Sequence, residues 1–405
     1  PFFSGGLGVN IHNYEFLKGN EIVNKLKVRA SYGRTGKASF PSYAATTMYE
    51  ALFDEWYATG FGAVLKALGN NNLSWEKTDK FNVGIEMQFL NRRLTVDADY
   101  YHDKTIDLVN DVSLSQTSGF SSYKDNMGEV LNQGFELQVR GEVFRNRDWL
   151  VALWGNMAHN KNKIVKISDS QRAYNLRVEQ FYQNSANEEY GRYNAQYAVP
   201  ISQYEEGQSL TSIWAVKSLG IDPTTGKEIF LNRDGCVSDT WNATQEVVVG
   251  NTEPKFNGSV GFNLAYKAWS LFAAFQYEWG GQEYNQTLVD RVENARIQYQ
   301  NVDLRVLTDR WKQPGDIAQF KDIKNADNVT MPTSRFVQDK AYLRLSALTL
   351  SYDFNREWIK KHLGMNMLRL EASTRDFINW NSIRQERGLS YPKSWTVDFS
   401  IKAQF

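Results

Sequence analysis

The sequence predicts an all-β fold built from antiparallel strands, and three observations support this prediction. Apolar and polar residues alternate with a period of two over many stretches, as in strands that present one apolar and one polar face. Some of these stretches are joined by very short turns, whereas the other connections are long and polar. The alternation also continues to the last residue, where a soluble domain usually ends in a few frayed polar residues.

The stretches 81–89 and 94–101 form the clearest predicted hairpin. Apolar side chains occupy every second position of both stretches, and only the turn 90–93 separates them. Two such stretches joined so tightly predict an antiparallel pair. The same pattern recurs around the turns 145–148 and 267–268. In chain order, the predicted strands are 7–11, 26–32, 81–89, 94–101, 135–143, 149–157, 256–266, 269–279, 342–354, 368–376 and 395–405.

The connections between these hairpins are long. Unstructured connections of this length are unusual in a compact soluble domain, but bacterial outer-membrane barrels combine short periplasmic turns with long extracellular loops. If 158–255 is one extracellular loop excursion and 280–341 a second long extracellular loop, every short turn falls on the periplasmic side. The long connections are 35–80, 103–133, 158–255, 280–341 and 377–394. The sequence therefore predicts an antiparallel transmembrane β-barrel with long extracellular loops.

About eleven wall strands are predicted, and this count matters because single-chain bacterial barrels have even numbers of strands. An open sheet would leave two unpaired edges, which a membrane does not tolerate. We therefore expect 1–405 to be the C-terminal part of a larger barrel whose other strands lie upstream. The first residues carry no signal pattern, in agreement with a segment from the middle of a longer protein.

Composition supports a barrel over several other classes of protein. The chain has 405 residues and a mean hydropathy of −0.52, and no stretch approaches the ~18 consecutive apolar residues of a membrane helix. Aromatic residues make up 14%, which argues against a disordered chain. Basic and acidic residues are balanced at 46 each, so no nucleic-acid partner is indicated. The single cysteine, Cys236, excludes an internal disulfide framework.

A soluble β-sandwich would show the same alternation, because it also buries one face of each strand. Two features favour the barrel. Charged and amide side chains lie in mid-strand on the polar face, as expected of a hydrated lumen, and aromatic residues lie near strand ends, where interfacial girdles form. The strand-end aromatics are Trp149, Trp269, Tyr277, Trp279 and Tyr352. A secreted β-rich enzyme or binding module is the alternative from another class.

The last predicted strand alternates without interruption up to the final residue. Terminal alternation that ends on an aromatic residue resembles the signal by which the outer-membrane barrel-assembly machinery recognises its substrates. The apolar positions of this predicted signal are Trp395, Val397, Phe399, Ile401 and Phe405.

Several segments, in chain order, resemble the C-terminal half of the SusC/RagA family of TonB-dependent transporters. Residues 26–36 read LKVRASYGRTG and are similar to the family's LKxRxSYGxTG strand. Residues 72–86 resemble its NPxLxWExT segment with the VGIE strand that follows, and 126–136 its NxGxxxNxGxE stretch. Further similarities lie at 220–226 (a GxDPxTG turn), at 309–311 (DRW) and at 334–352 (SRF, YLRL and TLSY).

This resemblance implies an outer-membrane barrel of the 22-strand transporter class that is closed internally by a plug. It also implies import of bulky nutrients, oligosaccharides or peptides, with a SusD-like surface lipoprotein as lid and energy from the TonB complex. The resemblance further implies contact with outer-membrane lipid. It is also compatible with a homodimer of transporter–lid pairs. Neither a plug nor a TonB box occurs in this sequence; both would lie upstream. A passive outer-membrane channel and a surface adhesin therefore remain alternatives.

No catalytic, metal or cofactor site is predicted. The four histidines show none of the metal-binding spacings. Asp97 and Asp99 project to the same side of a predicted strand, but no nucleophile and base accompany them. We expect these carboxylates to be hydrated or paired with Arg or Lys, and the chain is not predicted to be an enzyme.

Binding residues are expected in the long loops, because loops disproportionately carry binding sites. Aromatic side chains there can stack on sugar rings or contact peptide side chains. The stretch 282–311 is compatible with short helices, and two interpretations are equally open: contact with the lid or substrate, and a self-packed surface loop. The predicted substrate-binding aromatics are Tyr182, Tyr190, Tyr193, Trp214 and Trp241.

Overall fold

One large antiparallel sheet dominates the computed structural model of the chain. The structure describes residues 2–38, 40, 45–58, 60–113, 122–126, 128–184, 188–193, 204–299, 302–325, 329–383 and 396–405. The sheet has 12 strands, and eleven of them follow one another in chain order. No helix within the described ranges is long and apolar enough to cross a membrane. The predicted all-β class, with about eleven successive wall strands, is confirmed.

The strands have the following bounds. They are β1 (Phe3–Asn10), β2 (Val23–Lys37), β3 (Met48–Tyr57), β4 (Gly60–Ala67), β5 (Glu76–Phe89), β6 (Leu94–Ile106), β7 (Val109–Ser113), β8 (Ser122–Asn126), β9 (Gly128–Arg145), β10 (Trp149–Ile167), β11 (Ser212–Ile221), β12 (Glu228–Leu231), β13 (Val237–Ser238), β14 (Glu246–Asn251), β15 (Phe256–Tyr266), β16 (Trp269–Tyr284), β17 (Val337–Asp353), β18 (Met367–Arg375), β19 (Asn379–Asn381) and β20 (Thr396–Gln404). The large sheet has the order β1-β2-β5-β6-β9-β10-β15-β16-β17-β18-β20, and β19 also pairs with β17.

The two faces of the large sheet differ in polarity, and the strand register shows the difference directly. At one level of the sheet, the paired positions on eight successive strands form a row of polar residues. The adjacent position of each strand, whose side chain points to the other face, belongs to a second row that is mostly apolar. The polar row is Lys27, Glu86, Asp97, Gln138, Asn156, Ser259, Gln276 and Arg344. The apolar row is Val28, Ile85, Ala98, Leu137, Met157, Gly258, Tyr277 and Leu343. This alternation gives the sheet one polar and one apolar face.

Aromatic residues lie near both ends of the apolar face. At the end with the short turns, the row consists of Trp149, Tyr266, Trp269 and Tyr352 on four neighbouring strands. At the opposite end, the group consists of Phe135, His159, Phe256 and Trp279. Phe256 and Tyr266 are the two ends of β15. They lie roughly 33 Å apart along the strand, which at a tilt of about 40° gives an apolar band about 25 Å tall.

The three predicted turns are confirmed, because β5 and β6, β9 and β10, and β15 and β16 are joined at 90–93, 146–148 and 267–268. Leu90, Asn91 and Arg92 all have positive φ, at 55°, 55° and 65°. The left-handed conformation of three successive residues reverses the chain within the four-residue connection.

Several wall strands are longer than the sequence alternation predicts. β10 extends to Ile167 where the alternation predicts an end near 157, β9 begins at Gly128 where it predicts 135, and β16 extends to Tyr284. The extension of β10 includes the polar run 159–163, so neither face is apolar there and the period-two signal is lost. The backbone ladder nevertheless continues, with Ile167 opposite Gly128.

The connections at the long-loop end contain secondary structure of their own. The hairpins β3–β4 and β7–β8 lie between β2 and β5 and between β6 and β9. A four-stranded sheet of order β13-β12-β11-β14 lies between β10 and β15. The helices in these connections are α1 (Asp169–Asn184), α2 (Glu188–Tyr193), α3 (Gln286–Leu288) and α4 (Arg305–Thr308). Helix α5 (Arg356–Leu363) lies at the opposite end of the sheet, between β17 and β18.

Candidate functional site

The long-loop end of the large sheet carries a folded unit that we call the loop assembly, consisting of residues 204–251, which include the sheet β11–β14, and the described residues of 285–336. It is attached to the wall strands on two sides. The backbone N–H of Ile164 in β10 donates to the carbonyl oxygen of Gln208 at 2.7 Å. On the other side, the backbone N–H of Asn251 in β14 donates to Oε1 of Gln282 in β16 at 3.2 Å. The loop assembly therefore continues the wall beyond the end of β15.

A buried apolar cluster holds residues 285–336 together. Tyr284 at the end of β16 packs against this cluster, with its ring centroid 6.1 Å from that of Phe336. The short helices predicted for 282–311 are present as α3 and α4. The cluster consists of Leu288, Val289, Val292, Ala295, Val306, Phe320 and Phe336. This segment is thus a packed unit with its own core.

Arg335 connects the two parts of the loop assembly through two buried carboxylates. Its Nη2 donates to Oε1 of Glu293 at 2.7 Å and to Oε2 of Glu228 at 2.8 Å, and its Nε donates to Oε1 of Glu228 at 3.1 Å. Glu293 is 0% exposed. Burial by itself lowers the pKa of Arg335, but the hydrogen bonds to Glu228 and Glu293 outweigh burial, so the pKa is raised above its ordinary value. The charged guanidinium clamps β12 to the 285–336 segment.

Two further cations lie beside these carboxylates. Nη1 of Arg310 donates to the carbonyl oxygen of Lys321 at 2.8 Å, and Nη2 of Arg310 donates to that of Glu293 at 3.0 Å. Nζ of Lys321 donates to Oγ1 of Thr330 at 2.8 Å. Burial lowers the pKa of both Arg310 and Lys321. Because the donors are directed at backbone and hydroxyl oxygens of the same unit, this network stabilises the loop assembly.

Three of the segments that resemble family motifs meet in the loop assembly. Nε1 of Trp311 donates to the carbonyl oxygen of Pro223 at 2.8 Å. The ring of Trp311 lies against Gly226, which has a φ of +69° and leaves no room for a Cβ. Together with the Arg335 clamp, these contacts bring 220–226, 309–311 and 334–336 into one unit although they are far apart in sequence.

A polar cavity of about 660 Å³ lies where the loop assembly meets the wall. Glu253 lies in its lining and accepts hydrogen bonds from the side-chain amide of Asn160 and from the backbone N–H of Asn162. Gln282 donates through Nε2 to Oδ1 of Asp339 at 3.0 Å in the same lining. Amide and carboxylate groups of this kind hydrogen-bond sugar hydroxyls or peptide backbone groups. The cavity is therefore the best candidate for ligand contact in the described part of the chain.

A smaller cavity of about 310 Å³ lies within the loop assembly. It is lined by Trp241 together with Glu228, Asp239 and Lys321. Nε1 of Trp241 donates to the carbonyl oxygen of Pro332 at 3.0 Å, which fixes the indole against the 285–336 segment. The Trp241 side chain thus both binds the 285–336 segment and lines the smaller cavity.

The five aromatics predicted to bind substrate do not form one cluster. Tyr182 and Tyr193 belong by backbone to α1 and α2, and their side chains lie outside the described part of the structure. Tyr190 packs on the buried side chains Val178 and Phe181. Trp214 is half-buried in β11, opposite Val248. Substrate contact by these residues stays a prediction, and Trp241 has the most suitable surroundings.

The predicted assembly signal lies on β20. Val397, Phe399 and Ile401 are 55%, 82% and 72% exposed on the apolar face, and Phe405 follows directly after the strand. Trp395 lies outside the described residues. A role of Trp395 in barrel assembly stays a prediction, and so does that of Val397, Phe399, Ile401 and Phe405.

Of Asp97 and Asp99, the structure pairs Asp99 with a basic residue. Asp99 accepts two hydrogen bonds from Nη2 of Arg29, at 2.8 Å and 2.6 Å. Within the described residues, no group of three or more His, Cys, Asp or Glu side chains is arranged to hold a metal ion.

Sequence reasoning missed the residues that organise this site. Arg335 was recognised only as part of a motif, and its partners Glu228 and Glu293 carry no local signal because they lie 107 and 42 residues away. Glu253 and Asn160 were also missed, since single polar residues in a long connection resemble ordinary surface residues.

A family model described as TonB dependent receptor-like, beta-barrel matches residues 2–373. TonB-dependent receptor P3 of Formosa agariphila is 26% identical over 400 residues, which cover 94% of this chain and 37% of the relative. TonB-dependent receptor SusC of Bacteroides thetaiotaomicron is 32% identical over 177 residues, which cover 41% of this chain and 17% of SusC.

The fold is similar to that of a solved transporter. The structure of the RagAB peptide transporter superimposes with a TM-score of 0.76 at 22% identity, covering 94% of this chain and 40% of that chain. The chain thus spans about two fifths of the length of such relatives.

Proposed function

Because the chain belongs to the TonB-dependent receptor β-barrel family, we propose that it forms about half of the wall of an importer for bulky nutrients. The chain is part of an outer-membrane protein. The apolar face contacts lipid, the polar row lines the lumen, the short turns lie in the periplasm and the loop assembly lies outside the cell. An apolar band about 25 Å tall between two aromatic groups supports placement of the sheet across the membrane, and the contrast between short turns and long loops supports its orientation.

The observation that carries the proposal is the polar cavity at the junction of wall and loop assembly. Its amide and carboxylate groups suit a ligand that presents many hydroxyl or amide groups, such as an oligosaccharide or a peptide. Asn160, Gln282 and Asp339 lie on the paired wall strands β10, β16 and β17, which keep them in fixed positions and lower the entropy cost of binding. The substrate is captured there and passes through the lumen to the periplasm.

Partners follow from the same proposal. A SusD-like surface lipoprotein closes over the loop assembly, and the TonB complex supplies energy through a region that precedes this chain in the full-length protein. The barrel-assembly machinery recognises the C-terminal strand through Val397, Phe399, Ile401 and Phe405, together with Trp395. Pairing of two transporter–lid units is compatible with this arrangement.

Uptake measurements test the proposal. Cells lacking the full-length protein are compared with complemented cells for uptake of fluorescent peptides and oligosaccharides, with and without a protonophore. We expect energy-dependent uptake of one of the two classes, restored by wild-type protein and weakened when Glu253→Ala and Asn160→Ala are combined. Uptake that is unaffected by the deletion would refute the importer, and uptake that persists without energy would indicate a passive channel.

A further inference from the structure

A short amphipathic helix, α5, lies in the turn between β17 and β18, at the same end of the sheet as the short turns. Its position is fixed at both ends: Oδ1 of Asn355 accepts from the backbone N–H of Trp358 at 3.0 Å, and Gly364 follows with a φ of +68°. Ile359 is 0% exposed and turns one side of the helix toward the protein. The helix is therefore an ordered element at the rim of the sheet.

The aromatic row on the apolar face continues onto this helix. Ring centroids are 4.8 Å apart between Trp269 and Tyr352, 5.0 Å between Tyr352 and Phe354, and 6.5 Å between Phe354 and Trp358. Trp358 then stacks on His362 at 5.1 Å. Because Tyr352 belongs to the row that bounds the apolar band, Trp358 lies at the level of the membrane interface.

The exposed surface of α5 has two chemically different sides. Trp358 and Leu363 flank the buried Ile359 and are 49% and 45% exposed. Lys360 and Lys361 project to the other side and are exposed. Lysines in the last turn also match the helix dipole, but the dipole does not account for an exposed tryptophan and leucine beside them. A helix with an apolar side and lysines opposite is typical of elements that lie on a charged membrane surface.

Other exposed cations occupy the same rim. Lys267, in the turn next to the end of β17, lies with Nζ 5.3 Å from the ring centroid of Tyr266. Arg147 is exposed in the turn before β10. Acidic neighbours are also present: Glu357 lies one helical turn before Lys360 and Lys361, and Asp148 is exposed in the turn next to Lys267. Asp353 is already paired with Arg369 at 2.6 Å.

We propose that α5 is a membrane-surface helix, with Trp358 and Leu363 inserted at the lipid interface and Lys360 and Lys361 bound to the headgroups of anionic phospholipids. The partner is the phospholipid leaflet at the short-turn end of the barrel. This contact is independent of which nutrient is imported. It anchors the rim of the wall at a defined depth, and it makes local lipid composition part of the environment of β17 and β18.

Spin labelling of the full-length protein in lipid nanodiscs tests the depth of the helix. Labels are attached at Leu363→Cys, at the lipid-facing control Val260→Cys and at the water-facing control Lys312→Cys, with Cys236→Ser to remove the exposed thiol. We expect the label at 363 to resemble that at 260, accessible to oxygen and shielded from a water-soluble nickel reagent. Nickel accessibility equal to that at 312 would overturn the proposal, as would shielding from both reagents, which indicates a protein partner.

Lipid preference provides a second readout that does not depend on the label at 363. Binding of spin-labelled phosphatidylglycerol relative to phosphatidylcholine is compared for wild type, Lys360→Gln/Lys361→Gln and the distant control Lys312→Gln/Lys324→Gln. We expect the preference for phosphatidylglycerol to fall about fivefold for each lysine removed near the surface at low salt, with no change for the control pair. An equal preference in all three proteins would overturn the proposal.

Discussion

Arg335 joins the two parts of the loop assembly. It neutralises Glu228 and Glu293 in a site where Glu293 has no access to water. Removal of one partner of a buried ion pair leaves an uncompensated charge, which costs about 3–5 kcal/mol. We therefore expect Arg335→Ala to unfold the loop assembly locally, and Arg335→Lys to have a smaller effect because lysine retains the charge but not the two-carboxylate geometry. Hydrogen exchange of the amides of β12 measures both effects.

The matched control is Arg145→Ala at the opposite end of the sheet. Arg145 pairs with Glu142 at 3.3 Å, but its side chain is 62% exposed. Exposed pairs of this kind contribute about 0–1 kcal/mol. If Arg335→Ala altered exchange as little as Arg145→Ala, the clamp would have no structural role.

Glu246 makes the stability of the sheet β11–β14 sensitive to pH. It is buried in β14, and burial raises its pKa from 4.5 to about 7, although Arg233 opposes the shift. For a carboxyl group whose pKa is raised in the folded state, the protonated form is favoured by folding. Stability is therefore highest below about pH 4.5 and declines as the pH rises through 7.

Glu246→Gln removes this penalty. We expect the variant to stabilise β14 at pH 8 by on the order of 2 kcal/mol relative to wild type, with little difference at pH 4. Hydrogen exchange of 247–250, corrected for the intrinsic pH dependence of exchange, measures the difference. Asp234→Asn, at an exposed position, is the control. A wild type that is equally protected at both pH values would contradict the assignment.

At the scale of elements, the 285–336 segment is both self-packed and suited to binding a partner. Its core is buried, yet Leu304, Ile317 and Val329 are 70%, 96% and 70% exposed. Exposed apolar side chains contribute to protein binding where they form a contiguous patch. Contact of this segment with the proposed lipoprotein lid, in addition to self-packing, stays a prediction.

Substitution of two of these exposed apolar side chains tests binding of the lipoprotein lid. We expect Leu304→Asn/Ile317→Asn to weaken binding of the SusD-like lipoprotein by at least roughly a hundredfold, because two apolar side chains that are buried on binding together contribute about 3–6 kcal/mol. Leu90→Asn, at the short-turn end, is a matched control because Leu90 is 55% exposed and asparagine tolerates its positive φ. Titration of the purified partners gives the affinities; equal affinity of all variants would exclude this surface.

The elements differ in how well the sequence predicts them. β5 and β6 were predictable because alternation persists on both sides of the turn 90–93. The outer part of β10 could not be predicted, because the polar run 159–163 removes the alternation although the backbone hydrogen bonds to β9 continue. Helix α5 was also missed, since its eight residues lie in a connection too short for a clear helical period.

At the scale of the whole molecule, the order of strands follows from local patterns, whereas the site does not. Each wall strand pairs with a neighbour in the sequence or with the next strand beyond a long loop, so a list of strands almost determines the sheet. The loop assembly instead depends on contacts between distant residues, such as Arg335 with Glu228 and Trp311 with Pro223. Such contacts have no period and become visible only in three dimensions.

We interpret the large sheet as a transmembrane wall with a hydrated lumen on its polar face. Cysteine scanning along β15 tests this interpretation most directly, with a membrane-impermeant maleimide applied to cells that produce the full-length protein in a Cys236→Ser background. We expect labelling at Ser259 and Asn263, on the polar face, and protection at Val260, Phe262 and Leu264, on the apolar face. Uniform labelling of all five positions would contradict it.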